Sequence, residues 1–455
     1  MSSTDLENGF AGMIKCTVEF ILSNNDTFSL STGIQDTAQN YIQSIKVEEK
    51  LSTNTNMPVG VNNGNVLNIE IVSENNALIP DNKNSIYYGY MNNKAIIKLT
   101  VYDEENEKTT SFGKYYVKTW KSERDNENPN LVQIEAVNIM SLLAQSEVPD
   151  TIINSGMYIK DWLINAVTKI NDEMSDNKKI NIVEKNINFD EFPQMQFCNI
   201  STDNMGDAMN QISQCTLTNI FTDRSNNIKT DYACDINVKD AKYRLDILNS
   251  AECSDSFFID YDGVKVTYSK GDINKVELLG SVDNKDITSS GLSGDDAIQI
   301  DLGDGVYKIN RIECITSNDN ILVYPSKATY SKHVINIELK STGSTTVRIE
   351  VYGQRLNTTE LNYSIKGTNK LKVTNKIIKG KSYIKKYATE LCKLIKIKTD
   401  QIRISGYFRT DIELSDTIYV DLTGAMDMSG YYKVIAMEWD LGMYGFCNMT
   451  LIKTA

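Results

Sequence analysis

The sequence predicts a mixed, mainly β, multidomain protein, and three observations predict it. Apolar and polar residues alternate with period two through most of the first 150 residues and again in most of the chain after residue 255, the pattern of half-buried strands. Between residues 151 and 254 the apolar spacing changes to that of helices. One aromatic string is written twice, "FGKYYVKTW" at 112–120 and "SGYYKVIAMEW" at 429–439, each with a glycine, a tyrosine pair, a valine and a closing tryptophan. The chain holds three tryptophans, so two of them end the same kind of string. At 455 residues it is too long for one ordinary core, and length points to three or four domains.

Ile14, Cys16, Val18, Phe20 and Leu22 alternate with Lys15, Thr17 and Glu19 to make the first strand, with "NND" at 24–26 as its turn. Further strands are expected at 42–51 and 66–72, and "ALIPDNKNSIYYG" at 77–89 reads as a loop stopped by Pro80. Ala95, Ile97, Leu99 and Val101 alternate again. The charged turn "DEENEKTTSFG" sends the chain back through "KYYVKTW", and "SERDNENPN" returns it through "LVQIEAV". That is a three-stranded meander. Period two places Tyr116, Lys118 and Trp120 on one face and Tyr115, Val117 and Thr119 on the other.

Ile159, Trp162, Leu163, Ala166, Val167 and Ile170 then share one face of a helix. A second helix follows the capping run "STDN" at 201–204, with Met205, Ala208, Met209 and Ile212 on its apolar face. "TNIFTDRSNNIKTDY" reads as a hairpin around Ser225, Asn226 and Asn227. Two more hairpins are expected, "FFIDYDGVKVTY" turning at Asp262-Gly263 and "AIQIDLGDGVYKINRIEC" turning at Asp304-Gly305. Neither aspartate-glycine pair has the spacing of an EF-hand loop. "HVINIELK" and "TTVRIEVYG" complete this β-segment.

A basic run opens the last part, with eleven lysines and one acid, Glu390, between Lys366 and Lys398. Within it Ile384, Tyr387, Ala388, Leu391 and Ile395 repeat at helical spacing, while Lys385, Lys386, Lys393 and Lys396 fall on the opposite face. These four lysines are the candidate interface residues, for docking onto an acidic neighbour; a solvated helix face is the plainer reading. Strands "DQIRISGYF", "DTIYVDL", "GYYKVIAMEW" and "GFCNMTLIKT" follow. In the third of these, period two puts Tyr431, Lys433, Ile435, Met437 and Trp439 on one face.

Composition excludes several classes. Net charge is −13, against a general nucleic-acid binder, which needs clustered positive charge. The single histidine, His333, lies in a strand-like alternation, so triad and zinc chemistry lack their usual residue. The eight cysteines include no C-x-x-C pair and read as buried free thiols in a reducing compartment. No apolar run approaches the length of a membrane span, and "MSSTDLENGF" has no signal-peptide character, so folding in a cytoplasm is expected. No catalytic residue, metal site or cofactor is implied.

The repeated strings have matching surroundings, each as the middle strand of a three-strand meander. Chance enrichment of aromatic residues in strands explains the strings alone; the matching flanks favour a duplicated domain. At this point the chain resembles the bacteriophage tail hub family, the central baseplate hubs of contractile tails and the related tail-tip proteins of long flexible tails. The resemblance rests on "FGKYYVKTW" followed by "VQIEAVNIMSLLAQ", on "DNMGDAMNQISQCTLTNIFTDRSNNI", on "STTVRIEVYGQRL", and on the helix leading to "FRTDIELSDTIYVDL" and "GYYKVIAMEW". The family often shows N-P-x-L-x-x-G-D where this chain has "RTDIELSD" at 409–416, without the proline and glycine.

The resemblance implies two tube-like β-domains, a helical insert and a middle β-domain, divided as 1–150, 151–254, 255–365 and 366–455. It implies a homotrimer that matches a sixfold tail tube to a threefold tip or spike. The implied partners are the tail tube protein, the spike or tip protein, other baseplate proteins and the tape measure protein. DNA would pass without specific binding, and the protein would reside in the virion tail after assembly in the host bacterial cytoplasm, not in a membrane. A hub of a phage-tail-like bacteriocin or injection machine fits equally. Two other classes stay open: a tail-associated cell-wall hydrolase using paired carboxylates, and a β-sandwich adhesin, which would expose its aromatic residues.

Overall fold

A computed structural model describes residues 7–34, 36, 40–52, 59–61, 64–123, 130–149, 157–195, 200, 202–235, 241–246, 251–253, 261–303, 305–331, 334–397, 401–421, 429–442 and 445–454. His333, Ser201, Asp304, Cys198 and the first arm of the expected 262–263 hairpin as far as residue 260 lie outside the described residues.

The amino-terminal strands are β1 (Glu7–Asn8), β2 (Ile14–Ile21), β3 (Thr27–Ser31), β4 (Asn40–Lys50), β5 (Val66–Ser73), β6 (Ile96–Asp103), β7 (Lys108–Glu123) and β8 (Leu131–Asn138). The last seven pair antiparallel in the order β4-β5-β8-β7-β6-β2-β3. In β2 every second residue is buried, as its alternation requires. The chain then turns helical through α1 (Ile139–Gln145), α2 (Ile159–Glu173) and α3 (Met205–Thr216). Asn204 caps α3, its side-chain oxygen accepting from the Asp207 amide at 2.8 Å. Trp162, Leu163, Met205 and Ile212 from α2 and α3 form a core with Tyr116 of β7. The hairpin β9 (Thr218–Thr222) and β10 (Ile228–Tyr232) follows as expected.

Four short or long strands continue the chain: β11 (Tyr243–Asp246), β12 (Ala251–Cys253), β13 (Gly263–Ile273) and β14 (Glu277–Ile287). After them come β15 (Ile298–Asp301), β16 (Val306–Thr316), β17 (Val323–Ser331), β18 (Val334–Ser341), β19 (Thr345–Ser364) and β20 (Lys370–Asn375). Helix α4 (Lys381–Ile397) packs Ile384, Tyr387, Ala388 and Leu391 against Val264 and Val266 of β13. The chain ends in β21 (Gln401–Tyr407), β22 (Thr417–Asp421), β23 (Gly430–Asp440) and β24 (Phe446–Lys453).

The architecture is mainly β, and the carboxy-terminal strands join the amino-terminal ones in a single sheet, fourteen-stranded among the described residues. Strand β23 makes the join. Its first residues pair with β22, residues 436–440 pair with Lys46–Lys50 of β4, and β24 runs along its other edge. One apolar core serves both sets of strands. Strands β11 and β12, from the helix-rich stretch of the sequence, also belong here, against β22 and β21.

Both meanders form, with the repeated strings as middle strands. The side-chain faces differ from simple alternation. A register slip between Val117 and Thr119 puts an extra residue in β7, and a bulge reverses the phase beyond it. Trp120 therefore joins Tyr115 and Val117 in the shared core, while Tyr116 faces the helices. A slip between Val434 and Ala436 does the same in β23, where Tyr432, Val434, Met437 and Trp439 are the buried set.

The expected hairpin at 304–305 is a crossover instead. β15 pairs with β18, and β16 with β19. Leu302 and Val306, on either side of the turn, are both buried between the two sheets, and the positive φ of Gly303 and Gly305 turns the chain across the sandwich edge. Asp262, at the expected 262–263 turn, is held from the other side of the strand. Its carboxylate accepts from the amides of Thr368 and Asn369 and the Thr368 hydroxyl, at 2.7–2.8 Å, and β13 runs parallel to β20.

Residues 277–355 form a sandwich of β14-β19-β16 over β15-β18-β17. Among the described residues it is tethered by a two-stranded ribbon, the distal part of β13 against the middle of β19. Asn274 donates to the Arg355 carbonyl at 2.9 Å across the neck. Deleting residues 275–354 and joining Asn274 to Arg355 through an asparagine-glycine turn should leave the remainder folded. Cooperative thermal unfolding within a few degrees of the full chain is the expected result, and loss of cooperativity would show that the sandwich supports the main core.

Candidate functional site at the junction of the two β-modules

The two copies of the aromatic string meet. Phe112 of β7 lies edge-on to Trp439 of β23, with ring centroids 5.5 Å apart. Arg224, from the turn between β9 and β10, inserts beside them. Its guanidinium stacks over Phe112 at 3.9 Å, an arrangement that desolvation strengthens. It donates to both carboxylate oxygens of Glu49 on β4, at 2.9 and 2.6 Å, and to the Thr410 carbonyl at 2.5 Å. The Trp439 indole N–H donates to the same Glu49 carboxylate at 3.2 Å.

The Arg224 and Glu49 side chains are 3% and 2% exposed. Burial opposes the charge on Arg224, but the Glu49 carboxylate outweighs it and holds the guanidinium protonated. Gly113 adopts φ of +100°, and a Cβ there would stand 2.7 Å from the Arg224 carbonyl oxygen. The glycine of the first string is thus what lets the inserted turn approach.

Two further polar clusters bind the same elements. Lys433 of β23 pairs with Asp231 of β10 at 2.8 Å, and the Ser415 hydroxyl donates to that carboxylate at 2.6 Å. Both charged side chains are at least nine-tenths buried. Asp411 accepts from Arg409 at 3.0 Å and from the Tyr243 hydroxyl at 2.5 Å, and Lys108 of β7 also pairs with it. Burial alone would raise the Asp411 pKa; hydrogen bonds from Arg409, Lys108 and Tyr243 hold it well below the ordinary carboxylate range. These contacts lie in "RTDIELSD". Ser415 there has φ of +72°, the left-handed conformation that favours glycine, at the place where the resembling pattern carries glycine. Ile412, at the pattern's leucine, is fully buried.

No protein-family model matches the sequence, and no curated protein matches it. Solved structures do. The 43 kDa tail protein of prophage MuSo2 from Shewanella oneidensis superposes over 96% of this chain and 98% of its own, with 9% identity and a TM-score of 0.50. This chain has the fold of a phage tail protein. The tail protein of Neisseria meningitidis MC58 aligns over 96% of both chains with 7% identity and a TM-score of 0.49. A type VI secretion component of E. coli, itself similar to T4 phage tail proteins, aligns over 96% of this chain and 77% of its own, with 8% identity and a TM-score of 0.42. At such identities the Shewanella structure establishes the tail-protein fold and nothing finer.

On this fold three of the candidate lysines, Lys385, Lys386 and Lys393, lie along the outer face of α4. Lys385 is exposed. Lys386 pairs with Glu191 and lies 5.6 Å from the Phe192 ring centroid, while Lys393 pairs with Glu390 at 3.0 Å. The Lys396 side chain lies outside the described residues. Among the described residues, no group of three or more histidine, cysteine, aspartate or glutamate side chains is placed to hold a metal ion, and no helix is long and apolar enough to cross a membrane.

Sequence reasoning did not find Glu49 or Arg224. Arg224 precedes the turn of the expected 225–227 hairpin and Glu49 falls within the strand expected at 42–51; nothing local marks residues 175 apart in sequence as partners. Arg224→Met should cost about 3–5 kcal/mol, because it strands the Glu49 charge in the core. Adding Glu49→Leu should recover much of that loss. Urea unfolding of the single and double variants measures both, and a double variant less stable than Arg224→Met would show that the pair is not the linked unit described.

Proposed function

We propose that the chain is a structural hub of a phage tail baseplate or tip, assembled as a homotrimer that adapts a sixfold tail tube to a threefold tip or spike. One observation supports this reading above others: two β-modules, each built on a meander with a bulged aromatic middle strand, lie edge to edge in one sheet through β23 and β4. A chain with two similar modules lets three copies offer six. Closed rings are the usual outcome when such surfaces are self-complementary.

In this reading residues 1–150 and 366–455 supply the tube-like modules, with β11 and β12 lent by the helix-rich stretch 151–254, and 255–365 supply the middle domain. The tail tube protein contacts one side of the ring and the spike or tip protein the other; other baseplate proteins and the tape measure protein are further neighbours. DNA passes without specific binding, consistent with the acidic chain. The protein has no enzymatic role and is assembled in the host cytoplasm before residing in the virion tail. Trp120 and Trp439 are core residues, which removes them as adhesin platforms.

Light scattering of the purified protein should give about three times the 51.2 kDa chain mass, and electron microscopy should show threefold rings with six lobes. A stable monomer at micromolar concentration would overturn the reading. The lysine face of α4 is proposed to dock on an acidic neighbour. Reversing charge at Lys385 and Lys386 should weaken assembly and flatten its salt dependence; assembly indifferent to both changes would leave that face as solvated surface only.

A further inference from the structure

The two modules share more of their plan than the repeated string. In the first, strands run in the order β4-β5-β8-β7-β6, each pair antiparallel. In the second they run β12-β21-β24-β23-β22, again each pair antiparallel. The register matches from the valine before each bulge outward. Val117 lies opposite Ala136, Ala136 opposite Leu67, and Leu67 opposite Val47. Val434 lies opposite Leu451, Leu451 opposite Ile402, and Ile402 opposite Cys253. Strand β12 therefore takes, in the second module, the place that β4 has in the first, with Cys253 at the position of Val47.

Each middle strand outruns its neighbour on one edge. The Val434 amide donates to the Asp416 carbonyl at 2.9 Å and the Val117 amide to the Ala95 carbonyl at 3.0 Å; beyond these bonds neither β22 nor β6 continues. In β23 strand β4 takes the uncovered edge. The Leu51 amide donates to the Ile435 carbonyl and the Leu441 amide to the Ile45 carbonyl, at 2.9 and 2.8 Å, and Val47 lies opposite Trp439 between them. In β7 the matching edge of residues 118–122 has no strand and no backbone–backbone bond among the described residues. The connection before β6 touches this stretch through a side chain instead, the Trp120 indole N–H donating to the Leu78 carbonyl at 3.1 Å. Among the described residues β12 also pairs on one edge alone, with β21.

We propose that the outer edge of β12 in one copy pairs antiparallel with the uncovered edge of β7 in the next copy, repeating between chains the joint that β4 and β23 make within one. This rests on the hub reading and names the surface through which its three chains close. The joint within the chain fixes the register. Trp439, opposite Val47, stands as far beyond Val434 as Ser122 stands beyond Val117, so Cys253 of one copy lies opposite Ser122 of the next. An unpaired strand edge is a ready template for a further strand, and main-chain bonds then supply the affinity. Each copy gives one strand and accepts one, a head-to-tail contact that generates a ring when the rotation closes.

The test uses the full chain. Alternation from Ile435 and Leu441 turns the Trp439 amide toward β4; by the matching register the Ser122 amide faces the uncovered edge of β7, away from β8. Proline is tolerated at such an edge position. Ser122→Pro is expected to keep the unfolding midpoint within a few degrees while the light-scattering mass falls from three chains to one. Ser122→Cys gives a second readout should the proline variant fail to fold. Opposed residues of antiparallel strands have Cα atoms about 4.5–5.5 Å apart, within disulfide reach. Oxidation with diamide should therefore give covalent dimers and trimers on a non-reducing gel, and adding Cys253→Ser should remove them. A trimer indifferent to Ser122→Pro, or cross-links that are absent or survive Cys253→Ser, would overturn this joint and leave the hub reading standing. A parent chain that stays monomeric at micromolar concentration overturns both.

Discussion

The Arg224–Glu49 pair is the constraint on which the arrangement of this chain depends. It sits where four separate stretches converge: β4, β7, the turn between β9 and β10, and the segment around Thr410, with Trp439 of β23 closing the cluster. Taking both charges out of water is costly, and their attraction offsets that cost only when geometry is good and the remaining polar positions are filled. Here they are filled, by the Thr410 carbonyl and the Trp439 N–H. A shift of one β-module against the other would break several of these bonds at once. Hydrophobic burial in the shared core drives the modules together without direction; the ion pair selects one of the ways they could meet.

The repeated string looks different in this light. Its phenylalanine and glycine in the first copy, and its tryptophan in the second, are the residues that touch the inserted turn or each other. The tyrosine and valine positions are core in both copies. The bulge is equally part of the repeat, since both middle strands slip register just after the buried valine. A bulge increases local twist, and two strands twisted at the same place keep their tryptophans within one core despite unequal spacing from the tyrosines.

Much of the fold was legible in the sequence because periodicity reports burial on one face. The strands of both meanders, the helices α2, α3 and α4 and the β9–β10 hairpin follow from the spacing of residues such as Val18, Trp162, Met209 and Tyr387. What periodicity cannot report is which strand lies beside which. The 304–305 turn has the composition of a hairpin and performs a crossover, because Leu302 and Val306 are claimed by the space between two sheets. Strands β11 and β12 are too short to show a period, and their pairing with β22 and β21 exists only in the folded chain. The bulges defeated face assignment for Tyr116, Trp120 and Tyr432, since one extra residue inverts everything beyond it. Of the candidate lysines, the pattern located the outer face of α4 correctly for Lys385, Lys386 and Lys393, but the glutamate partners Glu191 and Glu390 already engage two of them.

The chain treats its two kinds of β-structure in opposite ways. The modules share a core, a sheet and three polar clusters that all cross between segments distant in sequence. The 277–355 sandwich has its own core and a narrow ribbon for a connection. Rotation between modules is resisted by buried charge, aromatic packing and continuous strand pairing together; rotation of the sandwich is resisted by the stiffness of two strands. The proposed ring adaptor would require the first, because an error in the angle between modules would accumulate around the circle and prevent closure. It gains nothing from the same rigidity in an appendage. Stabilising interactions are therefore concentrated where closure of the proposed ring would demand a fixed angle between modules, and the sandwich lies outside that shared core.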